Sequence, residues 1–152
     1  MSAPTGVLVD NPRMSGLLLI AHAPLASALK AVAEHAFPDC ASKLEVLDVT
    51  PEMSVETVEA RARSILAAAG FEEALVLTDV FGATPCNAAM RLQDAEGHVR
   101  VLSGVNVPML WRSLCYANEP LPELLQRAAS GGTQGIVPSE SPAIPLDTIT
   151  LP

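Results

Sequence analysis

The chain has 152 residues, enough for one domain with a substantial core but too few for two independent ones. Its 9 basic and 17 acidic residues give a formal charge of −8, which excludes the Lys/Arg footprint that nucleic-acid phosphates require and suits a partner with a basic docking face. Apolar residues make up 49% and aromatic ones 3%, so the core must be built from Ala, Val, Leu and Ile, as in helices packed on a parallel sheet. Cys40, Cys86 and Cys115 are odd in number and form no CxxC pair; they read as reduced, mostly buried thiols, not as a disulfide framework or zinc knuckle.

Residues 1–15 show no sustained period, contain Pro4 and Pro12, and read as an N-terminal extension in which Met14 is an alternative start. Residues 16–26 are broken by His22 and Pro24 and preceded by one basic residue, Arg13, so they do not form a signal sequence. No run reaches the length of a membrane span, and a cytoplasmic location is expected. Residues 17–21 (LLLIA) read as a buried strand, followed by a helix through Leu25, Leu29, Val32 and Ala33. Leu44–Val49 is a second strand. Ser54 offers an N-cap for a helix through Val55, Val58, Ala62, Ile65 and Leu66 that Gly70 closes. Ala74–Thr78 is a third strand, and Thr84-Pro85 opens the next helix as cap and first-turn proline. Val99–Ser103 is a fourth, followed by helices over 107–116 and 121–129. Gly131-Gly132 then reads as a hinge before a short final strand, residues 134–137. The remainder, 138–152, carries Pro138, Pro142, Pro145 and Pro152 and has the composition of a disordered tail.

Successive βα units imply an α/β fold, a mostly parallel four-stranded sheet with helices on both faces. Its expected organisation is an extension (1–15), a working domain (16–137) and a tail (138–152). With strand order 2-1-3-4, ligands bind outside the carboxyl ends of strands one and three, where the order reverses. The residues leaving those strands are His22 and Asp79.

A neutral imidazole is a nucleophile near pH 7, and the phosphoramidate it forms can pass its group on. A carboxylate on one ring nitrogen fixes the tautomer and leaves the other nitrogen free to attack. Gly82, Ala83 and Thr84 form a turn into a helix whose unpaired N–H groups suit a phosphoryl group. Each residue also has an ordinary structural explanation: a satisfied histidine, a loop aspartate, a helix-capping threonine. The loop Ser103-Gly104-Val105-Asn106-Val107-Pro108 flanks the same crevice, where its glycine and proline shape a turn. His35 and His98 show no carboxylate or glycine constellation, and the histidines lack metal-ligand spacing. GxxxxGK[ST] and GxGxxG phosphate loops are both missing, so nucleotide-hydrolysing and dinucleotide readings lack their cradles.

Three segments carry a family resemblance. LLLIAHAPLASAL resembles the phosphorylation segment of mannose-family enzyme IIA components of the bacterial phosphoenolpyruvate-dependent sugar phosphotransferase system. LTDVFGATPCNAA is similar to that family's second signature and SGVNVPMLWRSL to its third, all in order within residues 16–137. Ala21 and Ala23 stand where the family often has Thr and Gly. The resemblance implies that His22 is the phosphorylated histidine, Asp79 its carboxylate partner and Thr84 the hydroxyl residue near the phosphate. It further implies a phosphotransferase with phosphocarrier HPr as donor and a IIB domain or protein as acceptor, acting through the ring nitrogen remote from the backbone. No cofactor or metal is implied, and the membrane is reached only indirectly, through a permease complex. The resemblance also implies a homodimer that exchanges a C-terminal strand, which residues 134–137 would supply. The proline-rich tail, standing where membrane or IIB domains would join, suggests a free-standing IIA protein.

Other readings are a regulatory interaction protein switched by His22 phosphorylation, a phosphocarrier module feeding a dihydroxyacetone kinase, and an α/β binding module without activity.

Overall fold

The structure, a computed structural model, describes residues 15–139. Four strands, β1 (Gly16–His22), β2 (Leu44–Val49), β3 (Ala74–Thr78) and β4 (Val99–Ser103), form one sheet in the order β2-β1-β3-β4, and every neighbouring pair is parallel. The helices are α1 (Leu25–Ala36), α2 (Pro38–Ala41), α3 (Val55–Ala69), α4 (Thr84–Met90), α5 (Val107–Cys115) and α6 (Leu121–Gln134). The expected sheet order and its four strands are found. The four-residue α2, opened by Pro38, is additional.

Side chains alternate across the pleat, so the two faces of the sheet bury different helices. Leu17, Leu19, Ala21, Leu75 and Leu77 pack against α1, α5 and α6. Leu18, Ile20 and Val76 pack on the other side against Val58 and Ala62 of α3 and Ala88 and Ala89 of α4. Burying each of these leucines and isoleucines stabilises the fold by about 1.5–3 kcal/mol. Phe37 meets Trp111 edge to face at 5.4 Å and closes the first cluster. The two central strands are almost wholly buried, which explains their unbroken apolar sequence.

Local chemistry sets the element ends. Ser54 caps α3 by accepting from the Thr57 N–H at 3.1 Å, and Gly70 ends it in the left-handed conformation at φ 74. Ser15, expected in the extension, is buried, and its N–H donates to the Ala117 carbonyl at 3.1 Å. The rest of the extension and the tail beyond Ser139 lie outside the described residues. On α1 the buried face is Ala26, Leu29 and Ala33, while Val32 is exposed. Of the thiols only Cys86 is buried; Cys40 and Cys115 are exposed.

The C-terminal expectation needs correction. Helix α6 runs through the glycine pair to Gln134, and no fifth strand forms among the described residues. Gly131 and Gly132 are buried against α5: a Cβ on Gly131 would stand 2.7 Å from Arg112 Cβ, and one on Gly132 2.8 Å from Met109 Cε. The pair therefore permits close helix contact instead of hinging the chain. This gives a test by sign. In an unpacked hinge, Gly131→Ala would raise stability by about 0.4–1 kcal/mol by restricting the unfolded chain. In the packed helix we expect it to lower stability by about 1–3 kcal/mol through overpacking, read from urea unfolding midpoints.

Candidate functional site

β1 ends at His22, and Asp79 follows β3 directly. Because β1 and β3 are neighbours, the two residues meet in the crevice. The Asp79 Oδ2 accepts from the His22 backbone N–H at 2.9 Å and faces the ring Nδ1 at 2.7 Å. Oδ1 accepts from the Val80 N–H at 2.8 Å. An ionised carboxylate only accepts, so Nδ1 carries the proton in this contact and Nε2 of the neutral ring keeps its lone pair. The His22 side chain is 53% exposed and that of Asp79 13%, so the nucleophile is open while its partner is sheltered.

Partial burial pushes the Asp79 carboxyl up. Hydrogen bonds from the His22 N–H, the His22 ring and the Val80 N–H, with the charge of the protonated ring, outweigh this and hold it below its ordinary value of 3.8. The loop after β4 secures the backbone beneath: the Gly104 N–H donates to the Asp79 carbonyl at 3.1 Å and the Val105 N–H to the Thr78 carbonyl at 3.0 Å.

Gly82 and Ala83 lie in the turn between Asp79 and α4, and Thr84 is the first residue of α4. Gly82 adopts φ 90, a conformation that favours glycine, and its carbonyl accepts from Asn87 Nδ2 at 3.1 Å. Thr84 is not the cap expected from sequence: it is the first helical residue, Ala83 is the N-cap, and no side chain caps α4. The other helices that follow strands differ. Ser54 caps α3 and Asn106 caps α5, accepting from the Met109 N–H at 2.9 Å. On α1 the carboxylate of Asp48, from β2, accepts from the Ser27 N–H at 3.1 Å. Of the four helices among the described residues that start at the carboxyl ends of strands, α4 alone has a first turn without a side-chain cap, and it begins five positions after Asp79.

Asp48 and Ser27 were not singled out from sequence, and Asn106 was read there only as part of the loop after β4. Asn106 also joins α5 to α6, its Nδ2 donating to the Gly132 carbonyl at 3.0 Å. An acidic residue inside the apolar run LEVLDV was the available signal for Asp48. His98 has a carboxylate partner after all: its Nδ1 lies 2.9 Å from Asp94 Oδ2, at the end of the sheet opposite His22. That hydrogen bond and the charge of Asp94 raise the His98 pKa above its ordinary 6.5.

This fold and site define a class: a parallel α/β domain with an exposed histidine at the switch point of its sheet. The family model described as the PTS system fructose IIA component (EIIA-man) matches residues 16–128. The chain belongs to this family, the mannose-type enzyme IIA components of the sugar phosphotransferase system. It is 31% identical over 93 residues to the mannose-specific EIIAB component of that system in Escherichia coli (strain K12), covering 59% of this chain and 29% of that protein. It therefore spans less than a third of the length of this curated relative. It is 26% identical over 102 residues to the sorbose-specific EIIA component of Lacticaseibacillus casei, covering 67% of this chain and 73% of the relative. The mannose/sorbose specific IIA subunit from Enterococcus faecalis matches it with a TM-score of 0.77 and 25% identity, over 88% of this chain and 100% of that one.

Both carboxylate–imidazole pairs predict pH effects. A depressed Asp79 pKa contributes stability above the unfolded value and loses it as pH falls through the folded one. The gap in urea midpoint between wild type and Asp79→Asn should therefore shrink as pH drops below 3.8. A raised His98 pKa works in the opposite sense: its contribution is present below 6.5 and disappears as pH rises through the folded value. NMR titration should show a His98 midpoint above 6.5 that falls in Asp94→Asn.

Proposed function

We propose that the chain is a phosphocarrier in which His22 accepts a phosphoryl group from phospho-HPr and hands it to a IIB domain or protein. The observation that carries this reading is the 2.7 Å contact between His22 Nδ1 and the Asp79 carboxylate, which leaves Nε2 as the exposed nucleophile. Nε2 attacks the phosphorus in line, the donor's N–P bond breaks, and the donor imidazole leaves with the electron pair. Asp79 holds the Nδ1 proton and offsets the positive charge that grows on the ring. The N–H groups of the Gly82-Ala83-Thr84 turn, with the Thr84 hydroxyl, receive the phosphoryl oxygens. Positioning and charge stabilisation supply the catalysis, without a metal or cofactor.

The surface around His22 suits a carrier that must meet protein partners. Phe81, in the turn after Asp79, is 76% exposed, and Val80 and Leu25 beside it in sequence and at the start of α1 are exposed as well. Apolar side chains in water around a reactive ring support a face that other proteins cover transiently. The chain's net charge of −8 complements a basic docking face. The phosphocarrier unit comprises residues 16–137 and acts in the cytoplasm, reaching the membrane only through a permease complex. Among the described residues no helix is long and apolar enough to cross a membrane.

Assembly as a homodimer is part of the same proposal. β4 is an edge strand with incompletely buried side chains, and the segment after α6 leaves Ile136 73% exposed. Pairing residues 135–137 of each copy on a strand edge of the other would cover both.

Incubation with enzyme I, HPr and phosphoenolpyruvate should add one acid-labile phosphoryl group, located at His22 by mass spectrometry. His22→Ala should abolish it, whereas His35→Ala and His98→Ala should not. Label on another histidine, or none, would overturn the assignment. Asp79→Asn should slow phosphorylation by about 100-fold or more while the protein stays folded. Native mass should be near twice the 15.9 kDa chain mass. Truncation after Gly135 should yield monomers, and truncation after Pro138 should not.

A further inference from the structure

β1 delivers His22 to the crevice, and the chain leaves the sheet at once through Ala23 and Pro24 into α1. Three contacts to β2 hold that exit. Ala21 pairs with Asp48 and His22 with Val49 in the parallel ladder. The Ala23 N–H donates to the Val49 carbonyl at 2.9 Å. The third contact is made by a side chain: Asp48 Oδ1 accepts from the Ser27 N–H at 3.1 Å, and Oδ2 accepts from the Ser27 hydroxyl.

Ser27 is the third residue of α1, so its N–H is one of the donors that a helix leaves without an intrahelical partner. Pro24, the N-cap, supplies no side-chain cap. Asp48 therefore takes the capping role from outside the helix, with its charge at the positive end of the α1 dipole. The segment from Ala21 to Ser27 becomes a loop fastened to β2 at both ends, with His22 inside it. On its other side His22 is tied to Asp79. The two carboxylates thus have different tasks: Asp79 touches the imidazole, and Asp48 fixes the backbone from which the imidazole projects.

We infer that Asp48 and Ser27 are positioning residues for phosphoryl transfer at His22. Resting on the phosphocarrier reading, the inference adds two residues that act through the β1–α1 turn and not on the reacting atoms. A loosened turn lets the ring shift against Asp79 and against the α4 terminus, and small misplacements of reacting groups have large rate costs. It also frees the first turn of α1 to compete for the phosphoryl oxygens.

The test uses the full chain with Ser27→Ala, Ser27→Thr and Asp48→Asn, measuring transfer from phospho-HPr across donor concentrations. Ser27→Ala and Asp48→Asn should lower the maximal rate about tenfold while half-saturating donor concentration stays within about twofold. Ser27→Thr, which keeps the hydroxyl, should restore the rate. A second readout does not need transfer: nitrogen-15 NMR of the His22 ring should show the Nδ1–H tautomer in wild type and a mixture in Ser27→Ala. Wild-type rates and an unchanged tautomer in Ser27→Ala and Asp48→Asn would overturn the inference. So would a rate loss that follows thermal destabilisation and is not rescued by Ser27→Thr. A wild-type protein that takes up no phosphoryl group would refute the phosphocarrier reading instead, and the tautomer measurement would still decide whether Ser27 and Asp48 position the ring.

Discussion

Because β1 lies between β2 and β3, the chain leaving β1 turns toward one side of the sheet and the chain leaving β3 toward the other. In parallel α/β sheets a crevice forms where two such connections diverge. Parallel pairing brings Ile20 opposite Thr78, so the next residues along each strand, ending in His22 and Asp79, rise on the two walls of that crevice. The 2.7 Å ring–carboxylate contact follows from this register. Sliding β3 by one residue would turn the Asp79 side chain to the opposite face and bring Val76 into the wrong cluster. Core packing therefore fixes the site: the residues that hold register, Leu75, Val76 and Leu77, are fully buried between the helix layers.

Electrostatics at the carboxyl end of the sheet is shaped by what each helix start already holds. A parallel α/β sheet directs several helix N-termini toward the same side, and each attracts anions. Here α1 is occupied by Asp48, α3 by Ser54 and α5 by Asn106, while α4 remains uncapped beside Asp79. Among these four helix starts, the one left without a side-chain cap is that of α4. The caps on the others stabilise their helices, each by about 1 kcal/mol.

Strands, helix order and the His22–Asp79 pairing were legible in the sequence because each rests on local signals: unbroken apolar runs, Ser54 and Gly70 as punctuation, and polar residues just after strands. What was not legible depends on contacts between elements distant along the chain. Gly131-Gly132 looks like a breaker by composition. Its meaning as a close-contact surface appears only when Arg112 and Met109 of α5 are set against it. Thr84 resembles a cap by residue type, but Pro85 falls in the second helical position and moves the cap to Ala83. The Asp48–Ser27 contact joins residues 21 positions apart, beyond the reach of any periodicity argument. Val32 fits the apolar period of α1 yet lies outside the buried stripe, since three small or medium residues, Ala26, Leu29 and Ala33, already fill the space against the sheet.

A second imidazole–carboxylate pair stands in surroundings unlike those of His22 and Asp79. His98 and Asp94 reproduce the ring contact at 2.9 Å, but at the opposite end of the sheet, before β4 begins. The charges of Glu96 and Glu73 add to that of Asp94 in raising the His98 pKa. A raised pKa favours the form protonated on both nitrogens, which lacks the lone pair an attack requires. The same carboxylates repel an approaching phosphoryl group. Among the described residues the His22 ring meets one carboxylate, that of Asp79, and the uncapped start of α4 comes five positions later in the chain. The difference between the two histidines lies in what surrounds the pair: a single uncapped helix start at one end of the sheet, and further acidic side chains at the other.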